Sequence, residues 1–91
     1  MNWTKNALKN GLIEAVQKQE SIKHNKALTK EQREEYRLFW WLAENYFLEK
    51  LELLEPWQIK SLDDMDATFN DGVPWREHVE QQLALDDANV A

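Results

Sequence analysis

Apolar residues recur at Leu8, Leu12, Ala15, Val16 and Ile22, close to the i, i+4, i+7, i+8 rhythm of one helical face. That pattern predicts an amphipathic helix over residues 4–23, with Asn2 or Thr4 as its N-cap and a stop near His24-Asn25-Lys26. "TKEQ" at Thr29 to Gln32 has the capping-box form, Thr29 capping and Gln32 reaching back, with Leu28 before it as half of a hydrophobic staple. A second and longest helix is expected over 30–54, its early Glu31, Glu34 and Glu35 suited to the positive helix end. Pro56 cannot continue that helix but is well placed to open a third over 56–69, with a stripe of Ile59, Leu62, Met65 and Phe69. "NDGV" reads as a turn, and Pro74 opens a fourth helix over 74–85 with Trp75, Val79, Leu83 and Leu85 inward. Residues 86–91 read as a loose tail, and no period-2 run is long enough to predict a strand. The expected fold is therefore all-α: one domain, an irregular bundle of about four helices around a long central second helix.

The second helix poses the sharpest question. On a wheel of about 100° per residue, Tyr36, Phe39, Trp40, Leu42, Ala43, Tyr46, Phe47, Leu51, Leu53 and Leu54 fill one half. Trp41 and Leu48 lie together outside it, with Glu34, Arg37, Asn45 and Glu52 around them. In so small a domain the expectation is that another helix of the chain covers Trp41. The alternative is a contact with a partner or a second copy, where tryptophan is a favoured anchor.

Composition sharpens this picture without naming a chemistry. Five tryptophans, three phenylalanines and two tyrosines in 91 residues are ample for one core, since each buries roughly 150–250 Å². The chain has no cysteine, and its longest apolar run, Leu38 to Ala43, is far short of the ~20 residues that span a bilayer. Its first residues lack the apolar stretch of a secretory signal, so the expectation is a cytoplasmic protein with no membrane contact. The net charge of −6 is unevenly spread: residues 1–30 carry +4 and residues 31–91 carry −10. An overall acidic chain argues against direct nucleic-acid binding.

Searches for catalytic and metal-binding patterns find none. His78 has Pro74, Trp75, Gln81 and Gln82 at the helical offsets where a metal ligand would be needed. "DDMD" followed by Asn70, Asp71 and Gly72 has a calcium loop's composition but not its spacing, since Gly72 at position six puts Ala67 at one and Phe69 at three. Ser21 and Ser61 lack the context of an activated nucleophile. No cofactor or metal is implied, and a non-enzymatic role is expected.

Three functional expectations follow. The first is a protein-binding module, an inhibitor or regulator covering a basic surface of a partner such as a nuclease or DNA-binding protein. Its candidate residues are Trp41, Leu48, Glu44, Glu52, Glu55, Asp63, Asp64 and Asp66. In size and composition the chain resembles toxin-immunity proteins and phage-encoded inhibitors, though no motif carries a binding position over. The second is a homodimer through Trp41 and Leu48. The third, least favoured by the charge, is a nucleic-acid accessory factor using Lys5, Lys9, Lys23 and Lys26 with Trp3 stacking on a base.

Overall fold

The two capped helices form where their signals place them. In the computed structural model, which describes residues 4–65, 67–69 and 72–90 (with side chains through Leu83), α1 spans Lys5–Lys23 and α2 spans Lys30–Lys50. Thr4 caps α1 by accepting from the Ala7 N–H at 3.1 Å. Thr29 and Gln32 complete the capping box of α2, the hydroxyl accepting from the Gln32 N–H at 3.1 Å and the Gln32 amide oxygen from the Thr29 N–H at 2.9 Å. Arg33 then ties the α1–α2 connection down, donating to the carbonyls of Leu28 at 2.9 Å and Asn25 at 3.2 Å.

α1 and α2 run antiparallel, Gly11 lying against the Phe47 ring and Gln19 against Trp40 and Glu44. Small residues make this approach close. Ala15 and Ala43 are fully buried, and a Cβ on Gly11 would stand 2.7 Å from Phe47 Cε1 and 2.8 Å from Cε2. Phe47 thus fills the space that a larger residue at position 11 would occupy. Leu42, Tyr46 and Phe47 form the centre of the core, joined by Leu8 from α1, Leu62 from α3 and Trp75, Val79 and Leu83 from α4.

The remaining elements differ from expectation in their boundaries. α2 ends at Lys50 rather than at 54, because Glu52 takes a left-handed backbone with φ of 61°. The Leu53 N–H reaches the Leu48 carbonyl at 2.9 Å and the Glu52 N–H reaches that of Glu49 at 3.0 Å. Those two bonds are a Schellman cap, which closes the helix before Pro56 is reached. α3 spans Pro56–Asp64, with Pro56 at its start as expected, but stops well before residue 69. The segment beyond it forms a short antiparallel hairpin, β1 (Thr68–Phe69) with β2 (Val73–Pro74), pairing Thr68 with Pro74 and Phe69 with Val73. Two-residue strands carry no alternation for a periodicity reading to detect.

Pro74 consequently belongs to a strand, and α4 spans Trp75–Val90. The helix runs through most of the segment expected to be loose. Trp75, Val79 and Leu83 are buried as expected, while the side chain of Leu85 lies outside the described residues. The all-α expectation holds in its main feature, a mostly helical bundle of four helices, with the small hairpin as the addition.

The tightness at Gly11 is testable. Gly11→Ala gains up to about 1 kcal/mol of helix propensity but forces a methyl into a buried ring, which costs about 1–3 kcal/mol. Urea unfolding should show a net loss on the order of 1 kcal/mol. Adding Phe47→Leu should make the Gly11→Ala step neutral or stabilising in that background.

Candidate functional site

The structure separates the acidic and apolar residues expected to act together. α4 covers one side of α2: the Tyr46 hydroxyl donates to Glu80 Oε1 at 3.0 Å, and Arg76 donates to Glu49 at 3.1 and 3.3 Å. Arg76 also pairs with Asp63 and lies 4.5 Å over the Trp75 ring. Asp63 therefore helps hold α3 to α4, which gives it a role within the fold. Glu44 is likewise engaged, accepting from the Gln19 amide at 2.9 Å across the α1–α2 seam. Asp66, a candidate by sequence, lies outside the described residues, as does Trp3.

Trp41 is on the other side of α2, and the expectation that another helix covers it is overturned. It remains 39% exposed. The reason is helical phase. From Glu44 on the seam, Trp40 and Phe47 step inward toward α1, whereas Trp41 (i−3) and Leu48 (i+4) step outward. From Gln19, the step i−3 is outward on α1 and lands on Val16, which is 50% exposed although the periodicity put it in the buried stripe. Ile13, at 55%, lies beside it. The outer face of the α1–α2 pair is thus an apolar strip on the side away from α4, crossed in the middle by the Gln19–Glu44 bond.

A second exposed surface sits where α2 hands over to α3. Leu53 and Trp57 are the most exposed large hydrophobic residues described, at 63% and 67%. Both were missed as site candidates, Leu53 having been expected in the core half of α2. The Schellman cap turns Leu53 out of the helix, and Trp57 at the second position of α3 faces away from buried Leu62. Exposed Glu52 and Glu55 flank them along the chain and exposed Asp64 ends α3, with Lys60 and Lys50 the nearest cations along the chain. Asp64 and Trp57 are seven residues apart on α3 and share a face. The Gln58 side chain accepts from the Glu55 N–H at 2.8 Å and fixes the start of that helix.

His78 is packed between aromatic rings. Its ring stacks on Phe69 at 4.6 Å and meets Phe39 edge-on at 5.4 Å, pinning the hairpin to α2. Beside it lies a cleft of about 540 Å³, lined by Glu31, Glu34, Glu35, Leu38, Phe69 and His78 among others. The three carboxylates belong to the first turns of α2, where the helix dipole already favours anions. Among the described residues no group of three or more His, Asp or Glu could hold a metal ion, and no helix is long and apolar enough to cross a membrane. Lys5, Lys9, Lys23 and Lys26 are exposed along α1 and the turn after it. No known protein family, curated protein or solved structure matches the chain.

Glu52 is the unusual residue at the α2–α3 corner. Left-handed backbone costs a non-glycine residue about 1–2 kcal/mol, part of which a glycine gives back as chain entropy. Glu52→Gly should therefore raise stability by roughly 0.5–1 kcal/mol. Urea unfolding of the variant beside wild type checks it, and an unchanged or lowered midpoint would show that the carboxylate contributes to the fold.

Proposed function

We propose that this chain is a non-enzymatic protein-binding module whose α2–α3 corner recognises a basic surface of a partner, in the manner of an inhibitor or regulator. The observation carrying this reading is the coincidence of the two most exposed large apolar side chains, Leu53 and Trp57, with exposed Glu52, Glu55 and Asp64. An aromatic anchor desolvates on contact and supplies affinity, while surrounding carboxylates steer a cationic partner and set register. The strained backbone at Glu52 supports the same reading. An acid stands where glycine would relieve strain, and strained backbone of this kind clusters at contact sites. The −10 balance of residues 31–91 extends the attraction beyond the corner itself.

The proposal narrows the sequence-based candidates. Glu52, Glu55 and Asp64 stay in the partner-binding set, Leu53 and Trp57 join it, and Asp63 and Glu44 leave it because each is engaged by a side chain of another helix. Titration against a panel of basic proteins, nucleases and DNA-binding proteins included, tests it. At least one should bind with an affinity that falls as salt rises through the physiological range, where the screening length is about 8 Å. Trp57→Ala should weaken that binding by roughly 10-fold or more, and Asp64→Lys should weaken it further at low salt than at high. Binding indifferent to salt and to both substitutions would remove the corner as the recognition surface.

A further inference from the structure

We propose that the outer face of the α1–α2 pair is covered by a second copy of this chain, in a two-fold dimer whose axis crosses both helices at right angles. On α1, Lys9, Ile13, Val16 and Glu20 follow a 4-3-4 spacing and fall within about 60° of one another, a seam of the coiled-coil kind. All four are half-buried or more exposed, Ile13 and Val16 at 55% and 50%. The order along this seam is cation, apolar, apolar, anion. Turned end for end against itself, it places Lys9 against Glu20 of the second copy and Ile13 against Val16, each contact occurring twice. The dyad then lies between residues 14 and 15.

α2 carries the same self-complementarity about its own midpoint. Trp41 and Leu48 flank the point between residues 44 and 45, so reversal sets Trp41 of one copy against Leu48 of the other. The two midpoints must coincide in height for one axis to serve both helices, and they do. Gly11 lies against Phe47 and Gln19 reaches Trp40 and Glu44, so level positions on the antiparallel pair have residue numbers summing to about 58–63. The positions 14.5 and 44.5 sum to 59, within that range. Charge complementarity therefore selects a second copy as the occupant, and an isologous interface needs this self-matching. The dimer face is distinct from the α2–α3 corner and does not depend on the partner assigned to it.

Sedimentation equilibrium of the full chain reads the outcome, with circular dichroism confirming that each variant is folded. Wild type should dimerise with a dissociation constant below about 100 µM, and Trp41→Ala should weaken dimerisation by roughly 10- to 100-fold. Lys9→Glu and Glu20→Lys should each weaken it, and the Lys9→Glu/Glu20→Lys double variant should recover most of the loss, since the exchange restores opposite charge at both contacts. A wild type that stays monomeric to that concentration overturns the proposal. So does a dimer that ignores Trp41→Ala, or one that each charge variant weakens without recovery in the double exchange.

Discussion

The close approach of α1 and α2 governs the rest of the molecule. Gly11, Ala15 and Ala43 remove bulk from the contact, and the Phe47 ring occupies what they leave. The seam carries one polar bridge, Gln19 to Glu44, and beside it Val16 and Trp41 stay exposed. The core therefore grows on the opposite side of α2, where Tyr46, Leu42 and Phe39 receive α4 and the hairpin. A fold with all its covering elements on one side of a two-helix layer necessarily leaves an outer face. The exposure of Val16 and Trp41 follows from the packing that buries Ala15 and Ala43.

Arg76 does for the short elements what Gly11 does for the long ones. It reaches Glu49 on α2 and Asp63 on α3 from the first turn of α4, with its side chain 31% exposed and Glu49's 20%. One guanidinium can serve two carboxylates because its donors form a planar fork. α3 is only nine residues long, too short to be held by its own hydrogen bonds, so Leu62 and this charge cluster fix where the α2–α3 corner points. Leu53 and Trp57 are thereby presented from a supported frame, which lowers the ordering cost of any contact they make.

The helices were legible in the sequence wherever their signals were local. Thr4, the Thr29/Gln32 box and Pro56 name helix starts by their own chemistry, and each forms as read. Ends were harder. Glu52 closes α2 by adopting a conformation that glycine usually supplies, so nothing in its identity announces the cap. The hairpin was hidden for a different reason, since its two-residue strands are stabilised by the His78–Phe69 stack from a helix further along the chain. Of the site, the wheel separated Trp40 from Trp41 correctly, but could not say that no helix would reach the outer one. Leu53 and Trp57 went unread because each fits a helical stripe, and their exposure comes from a turn whose geometry is non-local.

The two surfaces have a relation that follows from their symmetry. A dyad crossing the helices at residues 14.5 and 44.5 reverses the direction of α2 between copies, so the two α2–α3 corners of such a dimer would point to opposite ends. Lys50, the last residue of α2, is about 8 Å along the helix from that axis at 1.5 Å per residue, which puts the two helix ends that carry the corners about 16 Å apart. Neither corner would shield the other, and self-association would leave both open to a partner. Two anchors facing opposite ways cannot both grip one small globular target, so the gain from pairing would not be avidity for a single molecule. It would be the ability to bridge two copies of a basic partner, or two sites along an extended one. Salt would weaken the corner contacts through their carboxylates and the dimer through Lys9 and Glu20, whereas the apolar contacts of Trp41 and Leu48 would be little screened. Rising salt would then loosen the grip on a partner more than it loosens the dimer, whose apolar contacts persist.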